Sequence, residues 1–181
     1  TQTDADWVLY LDADERMDGE LVQDVHKKVN QAPQQYAFTR RAVVCDYTFH
    51  HGAFKPDQVF RLFPRQAVVW ENKVHERPVC SLAQKQLAGE VKHYTYDNWQ
   101  AWINKMGAYT TIWATDNFAQ GKRTSLSGAV GHMLMGFGKM FFLQLGFLDG
   151  VKGLISTSLH CSYTLFKYLK LLELQRREGI K

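Results

Sequence analysis

The sequence contains few cysteines and no closely spaced pair of them. The three residues, Cys45, Cys80 and Cys161, lie far apart in the chain, which excludes a zinc ribbon and a CxxC redox pair. We expect them to be reduced thiols in a cytosolic protein. The first residues show no basic segment followed by an apolar one, so no secretion signal is predicted.

Long hydrophobic runs are also lacking, as are internal repeats and low-complexity tracts. The longest apolar run, 140–148, is interrupted by Gln144 and falls short of the ~20 residues that cross a bilayer. We therefore predict no transmembrane helix. The excess of basic over acidic residues, 22 to 18, gives a formal net charge of +4. This excess permits attraction to phosphates or to an anionic membrane surface, and no nucleic-acid partner is predicted.

Hydrophobic periodicity predicts an α/β protein with its strands first and its helices last. Asp18 is placed to cap a first helix that ends near Val29. Strands are predicted at 7–11, 36–44, 59–63, 67–70 and 87–94, with the third and fourth joined by 64–66 as a hairpin. From Asp97 onward the spacing of apolar residues is helical, with a break at 121–124. We place the domain boundary at the change from strands to helices, with domains at 1–96 and 97–181.

The segment DWVLYLDADER carries two acidic residues at the end of a predicted strand. Asp12 and Asp14 project beyond the sheet, where carboxylate oxygens and substrate phosphates together suit a divalent cation. Two enzyme classes fit this element. One is the haloacid-dehalogenase type of phosphatase, in which Asp12 would be the nucleophile, although Arg16 stands where that motif has Thr or Val. The other is a nucleotide-sugar transferase, in which a D-x-D motif holds the metal.

Five motifs in order favour the transferase: WVLYLDADER, RLFPR, ENKVHE, VKHYTY and GFLDGVKGL. Together they resemble bacterial family-two glycosyltransferases of the lipopolysaccharide-core glucosyltransferase type. The resemblance implies a partial GT-A (Rossmann-like) mixed sheet followed by a C-terminal helical segment, lacking the N-terminal nucleotide-binding portion. It implies an inverting hexosyltransferase that moves a sugar from a UDP-sugar donor, UDP-glucose first among them, to a lipid-linked glycan acceptor. We expect the isolated chain to be a poor catalyst.

The resemblance also implies roles for particular residues. Asp12 and Asp14 become ligands of Mg²⁺ or Mn²⁺ and of the sugar diphosphate, with His93 as a further ligand. Arg61 becomes a diphosphate-binding residue. Glu76, in VHE, becomes the base that takes the proton of the acceptor hydroxyl.

Two further residues are expected on the acceptor side. His75 would orient the neighbouring base or contact the acceptor, and Lys105 would bind a phosphate-bearing group. Glu15 is expected to orient its neighbours rather than to bind the metal.

The last helix carries a stripe of apolar residues, with lysines on its other side. The stripe consists of Val151, Leu154, Ile155, Leu159, Leu165, Phe166, Leu169 and Leu172. Such a helix either docks on its own domain or lies in a membrane interface. We predict a protein on the cytoplasmic face of the bacterial inner membrane, bound peripherally to its anionic surface. A non-catalytic membrane-associated remnant of such an enzyme is the remaining alternative.

Overall fold

The computed structural model describes residues 4–71 and 77–179 and has an α/β architecture, a curled mixed sheet and a C-terminal helical segment. The strands are β1 Trp7–Leu9, β2 Glu15–Met17, β3 Gln35–Val44, β4 Tyr47–Thr48, β5 Asp57–Pro64, β6 Val69–Glu71, β7 Arg77–Val79 and β8 Gln84–Tyr96. The helices are α1 Gly19–Lys28, α2 Trp99–Ala119, α3 Leu126–Phe137 and α4 Gly150–Arg177. The predicted fold class is confirmed.

The chain forms two compact units. The first contains the residues up to Val43 together with Pro56–Thr95, and the second contains Val44–Lys55 together with the chain from Tyr96 onward. The segment 44–55 thus belongs with the helices, although it lies within the strand-rich part of the sequence. The chain passes between the two units after Val43, after Lys55 and after Thr95.

The sheet of the first unit has the strand order β1-β5-β3-β8-β2 and curls into a half-barrel. β5 runs antiparallel to β1 and to β3, and β2 runs antiparallel to β8. The core under this sheet is formed by six buried residues, Leu21, Tyr36, Phe38, Leu62, Leu87 and Val91. Tyr36 and Phe38 of β3 supply this core from alternate positions because successive strand side chains face opposite sides, and Leu62 of β5 joins them.

Helix α1 is fixed to the sheet through its N-cap residue. Asp18 Oδ1 accepts a hydrogen bond from Leu21 N at 2.7 Å, and Oδ2 accepts one from Glu90 N of β8 at 2.9 Å. Gly89 allows this close approach because its φ is +81° and a Cβ there would lie 2.6 Å from Asp18 Oδ1 and closer still to Leu21 N. The cap predicted at Asp18 is confirmed, and it joins the helix to the sheet as well.

The predicted hairpin between 59–63 and 67–70 is wrong. β5 pairs with β1 and β3, whereas β6 pairs with β7 in a separate two-stranded sheet. The residues between them, Arg65–Ala67, form a 3₁₀ turn instead of a tight hairpin turn. Strand β2 was not predicted, because three residues are too short a stretch to show an alternating pattern.

The second unit has two buried clusters. One is centred on Ala114, Ala129, Tyr168 and Leu171 of the three helices. The other is aromatic, with Val44, Phe49 and Trp102 buried and Phe54, Tyr96 and Leu159 packed against them. The segment 44–55 therefore contributes to the core of the helical unit, which explains why it belongs there.

Asp149, in the GFLDG motif, anchors the segment 44–55 within this unit. Its Oδ2 accepts hydrogen bonds from the backbone N–H groups of His50 and His51 at 3.2 and 2.9 Å. Its Oδ1 lies 3.2 Å from His51 Nδ1. The Asp149 side chain is 3% exposed, so these contacts compensate for the desolvation of a buried carboxylate.

The buried face of α4 differs from the predicted apolar stripe. The buried positions are Gly153, Ser156, Thr157, Cys161, Thr164, Tyr168, Leu171 and Gln175, mostly small or polar. Gly153 passes so close to the carbonyl of Gly146 that a side chain there would overlap the oxygen. Four stripe residues are instead exposed: Val151, Leu154, Ile155 and Phe166. The apolar stripe is therefore not the buried face of α4, because close helix packing selects small side chains, which a hydrophobicity pattern does not detect.

One stretch of the described chain, Leu126–Leu143, is long and apolar enough to span a membrane by length and composition alone. It contains α3 and the π-helical turns Gly138–Leu143, and 6% of it is buried inside the protein. This stretch is not an uninterrupted apolar run, because glycines, His132 and Lys139 divide it, and so the sequence did not predict it. One such segment does not by itself establish a membrane helix.

Candidate functional site

The acidic segment 12–15 lies at one end of the sheet, where strand pairing surrounds it with basic residues. Leu9 pairs with Leu62 and Tyr10 N donates to Arg61 O at 2.9 Å, which sets Arg61 beside the end of β1. On the other side Glu15 pairs with His93 across β2 and β8. Hydrogen bonding between distant strands thus brings Arg61 and His93 to the segment that carries the two aspartates.

Asp12 forms an ion pair with Arg61. Arg61 Nη2 donates to Asp12 Oδ2 at 2.9 Å, and the Asp12 side chain is 51% exposed. A pair so accessible to water contributes only ~0.2–1 kcal/mol to stability. The carboxylate therefore remains accessible to a ligand, and Arg61, whose side chain is 21% exposed, has the guanidinium geometry that binds phosphate oxygens in pairs.

Asp14 lies against His93 in the same part of the sheet. Asp14 Oδ2 is 3.1 Å from His93 Nε2, and the Asp14 side chain is 48% exposed. The backbone holds this geometry, since Tyr94 N donates to Asp14 O at 2.9 Å. A carboxylate and an imidazole nitrogen consequently converge on one accessible position.

Glu15 is buried, and its hydrogen bonds hold the segment 12–15 in place. Its Oε2 accepts a hydrogen bond from Asp12 N at 3.1 Å, and Asp12 O accepts one from Glu15 N at 3.0 Å. Its Oε1 lies 3.5 Å from Arg40 Nη1. The role expected for Glu15, that of orienting its neighbours, agrees with these contacts.

Arg40 is the residue of this cluster that sequence reasoning missed as a site residue. It donates to Asp57 at 2.7 and 3.1 Å in addition to its contact with Glu15. The hydrogen bond to Asp57 raises the pKa of Arg40 above its ordinary value, with burial opposing the shift. Its place in a predicted strand could be identified from the sequence. Its partners could not, because they depend on the register between strands.

An aromatic pair borders the acidic segment. Trp70 Nε1 donates to the Tyr10 hydroxyl at 2.9 Å, and the two rings meet edge to face with centroids 4.7 Å apart. Trp70 is 37% exposed, so its ring offers an accessible face close to the end of β1. A flat apolar surface of this kind is suited to stacking against a sugar or a base.

The three predicted metal ligands are divided between two separate contacts. Asp14 and His93 are in contact, whereas Asp12 is turned toward Arg61. Within 4–71 and 77–179 no group of three or more His, Cys, Asp or Glu side chains is arranged to hold a metal ion. The donor chemistry of Asp14 and His93 nevertheless fits a cation that takes one or two protein ligands and completes its sphere with phosphate and water oxygens. An imidazole ligand favours Mn²⁺ over Mg²⁺.

Three predicted site residues remain, Glu76, His75 and Lys105. Glu76 and His75 lie outside the described residues. Lys105 belongs to α2 in the second unit, where its Nζ lies 5.1 Å from the centre of the Tyr96 ring. The structure therefore brings together Asp12, Asp14, Arg61 and His93, which were predicted from widely separated motifs.

No model of a known protein family matches the chain.

Proposed function

We propose that the chain is an inverting, metal-dependent glycosyltransferase acting on a UDP-sugar, with glucose as the transferred sugar and a lipopolysaccharide-core or related lipid-linked glycan as acceptor. The observation that supports this proposal is the contact between Asp14 and His93 beside the ion pair of Asp12 and Arg61. Two accessible carboxylates, an imidazole and a guanidinium are the groups that a diphosphate and a divalent cation require together.

Each residue has a distinct task in this proposal. Asp14 and His93 would hold Mn²⁺ or Mg²⁺, which when bound neutralises charge on the departing nucleoside diphosphate. Arg61 would exchange its contact with Asp12 for a phosphate oxygen, while Glu15 and Arg40 keep the segment in place. Glu76 remains the proposed base for the acceptor hydroxyl.

The experiment that tests the site is calorimetric titration of the chain with UDP and UDP-glucose, with and without Mn²⁺. We expect binding that requires Mn²⁺ and weakens at least about tenfold in Asp14→Asn, because the variant removes a charged ligand and keeps the shape. Asp24→Asn is the matched control. Its carboxylate accepts a hydrogen bond from Ala88 N, which an amide oxygen also accepts, so binding should be unchanged.

Two outcomes of this titration would contradict the proposal. The first is the absence of Mn²⁺-dependent binding in the wild-type chain. The second is equal binding by the wild type and Asp14→Asn, because the diphosphate would then be held elsewhere.

The phosphatase hypothesis makes a different prediction for the same residues. A phosphatase with Asp12 as nucleophile would hydrolyse a generic aryl phosphate and would lose that activity in Asp12→Asn. A transferase has no such activity. We expect no hydrolysis above background. If the wild-type chain hydrolysed the aryl phosphate and Asp12→Asn did not, the phosphatase hypothesis would replace the proposed function.

Membrane association is the second part of the proposal, supported by an exposed apolar surface in the second unit. The residues that form it are at least 44% exposed: Leu134, Met135, Phe142, Leu143, Leu145, Phe147, Leu148, Val151 and Leu154. Phe142 packs edge to face on Phe141, which also contacts Phe147, so the surface is continuous across these turns. Apolar surface of this extent marks an interaction site.

The charge around this surface favours an anionic bilayer. Residues 134–154, which include this surface, contain Lys139, Lys152 and one acidic residue. That residue, Asp149, is buried against His50 and His51. The exposed charges of this stretch are therefore all positive, which attracts anionic lipids while the apolar side chains enter the interface.

Vesicle sedimentation tests this part. We expect binding to vesicles of phosphatidylcholine with phosphatidylglycerol, weaker binding to phosphatidylcholine alone, and a loss of about tenfold or more in Leu143→Asn/Val151→Asn. Val69→Asn changes a similarly exposed apolar residue, 64%, in the first unit and is the control. Equal sedimentation of all three proteins with both vesicles would contradict membrane binding through this surface.

A further inference from the structure

The second unit contains a cavity of about 430 Å³ bordered by α2, α4 and the 3₁₀ turn Gly52–Phe54. Aromatic and apolar side chains form most of its wall: Phe54, Tyr96, Trp102, Met106, Tyr109 and Tyr163. The volume is within the ~300–1,000 Å³ typical of small-molecule sites. The wall belongs entirely to one compact unit and shares no residue with the acidic site in the sheet.

The aromatic wall is held in place by contacts among the rings. Tyr96 and Trp102 stack with centroids 5.0 Å apart and planes 4° from parallel. Phe54 meets Trp102 edge to face at 5.3 Å. Rings fixed in this way lose little side-chain entropy when a ligand binds, so an apolar ligand gains most of the free energy of its burial.

Among the residues that the structure describes, one cation and no acid border the cavity. Lys105 Nζ lies 5.1 Å from the Tyr96 ring centre and 5.9 Å from that of Tyr109. Burial and the charge of Lys167 lower the pKa of His160, the other basic residue of the wall, so its imidazole is neutral near pH 7. The cavity therefore has a mostly apolar, aromatic wall and one positive group.

We infer that this cavity binds an anionic amphiphile, with its apolar chain among the aromatic rings and its phosphate or carboxylate group at Lys105. A saccharide does not fit as well. Its many hydroxyl groups need several strong acceptors, and no carboxylate or carboxamide side chain is among the described residues of the wall, whose polar groups besides Lys105 are tyrosine hydroxyls, the Trp102 N–H and His160. An apolar chain needs none, and a single anionic group needs the one cation that is present.

Calorimetric titration with decyl phosphate, kept below its critical micelle concentration, tests the inference. We expect saturable binding at one site, weakened about tenfold or more in Lys105→Met, which keeps the length of the side chain and removes its charge. Lys152→Met is the matched control, since Lys152 also lies over an aromatic ring, Tyr47 at 4.4 Å, but does not border the cavity. Its affinity should equal that of the wild type.

Two related ligands separate the contributions of the chain and the anion. Inorganic phosphate should show no measurable binding, because it lacks the apolar chain. Decyl maltoside should bind at least about tenfold more weakly than decyl phosphate, because it has the same chain and no charge. Equal affinity for the two decyl compounds would overturn the role of the anion, and tight binding of inorganic phosphate would overturn the role of the aromatic wall.

A second variant locates the binding site independently of charge. Ala53→Phe places a ring in the cavity, and circular dichroism with thermal unfolding establishes that the variant is folded. We expect it to lose decyl phosphate binding. If it and Lys105→Met both bind as tightly as the wild type, the amphiphile is bound elsewhere and the inference is wrong. The sugar-nucleotide titration concerns other residues, so either proposal can fail without the other.

Discussion

Asp14 and His93 are 79 positions apart in the chain, yet a carboxylate oxygen of the first lies 3.1 Å from a ring nitrogen of the second. The pairing of Glu15 with His93 between β2 and β8 produces this contact, since Asp14 directly precedes the paired residue. The three-residue strand β2 therefore has a functional consequence in the proposed transferase. It fixes the distance between the two candidate metal ligands.

The first prediction concerns His93. In His93→Ala we expect the Mn²⁺-dependent affinity for UDP to fall about tenfold, because an imidazole ligand to the metal is lost. The measurement is calorimetric titration of Mn²⁺ and UDP, with His26→Ala, an exposed histidine of α1, as control. Unchanged Mn²⁺ dependence in His93→Ala would show that the contact with Asp14 is an ordinary surface pair.

The second prediction concerns Gly89 and the packing of α1 on the sheet. Gly89→Ala should lower the free energy of unfolding by about 2 kcal/mol or more, because φ is +81° and the added Cβ meets Leu21 and Asp18. Gly19→Ala, at the start of α1 with no atom within 4 Å of its Cβ, should instead be neutral or stabilising by up to ~1 kcal/mol. Urea unfolding followed by circular dichroism measures both, and equal stability of the two variants would contradict the structure at Gly89.

The third prediction concerns the attachment of α4 to α2. Lys170 Nζ donates to Gly107 O and to the hydroxyls of Thr110 and Thr111, all at 2.7–2.8 Å. Lys170→Met should destabilise the protein by about 1–3 kcal/mol, because it leaves these acceptors without their charged donor. Lys139→Met removes an exposed lysine of the same unit and should change stability by less than ~0.5 kcal/mol. A Lys170→Met variant as stable as Lys139→Met would show that water replaces the ammonium at no cost.

The fourth prediction concerns pH and His160. Burial and Lys167 lower the pKa of His160 in the folded protein below its ordinary value of 6.5. Below that pH the unfolded chain binds the proton more readily than the folded one, so stability falls as pH drops from 6.5 toward the folded pKa. From about one pH unit above 6.5 the imidazole is neutral in both states and contributes no pH dependence.

His160→Gln tests this sign. Unfolding free energies at about pH 7.5 and about pH 5.5 should differ less in the variant than in the wild type, since the linkage at this site is removed. His26→Gln, which changes an exposed histidine, should retain the wild-type difference. A larger pH difference in His160→Gln would reverse the assigned direction of the shift.

The parts of the fold that follow local rules could be predicted from the sequence. Helix α1 was found because Asp18 is an N-cap residue and Leu21, Val25 and Val29 recur at helical spacing. Strand pairing was not predictable in the same way. β6 joins β7 and not β5, and nothing in the alternation of apolar residues specifies a partner. The buried face of α4 was missed because Gly153, Ser156 and Thr157 pack through their small size.

The candidate site was predictable to a similar extent. Acids after a buried strand indicated Asp12 and Asp14, and the resemblance to glycosyltransferases added Arg61 and His93, which the structure places beside them. Arg40 could not be assigned, because its contact with Glu15 requires the register of β3 and the position of β2. The ring contacts that form the wall of the cavity likewise join Phe54 to residues of a distant helix.

The hydrogen bonds between Asp149 and the backbone of His50 and His51 have a consequence for the order in which the chain folds. Their partners are 98 and 99 residues apart. At about 5–20 residues per second, a ribosome needs roughly 5–20 s to supply Asp149 after the two histidines. During that time the aromatic side chains of 44–55 lack the helices that bury them. A chaperone that recognises exposed aromatic segments could therefore bind residues 44–55 of the nascent chain before α4 has been synthesised.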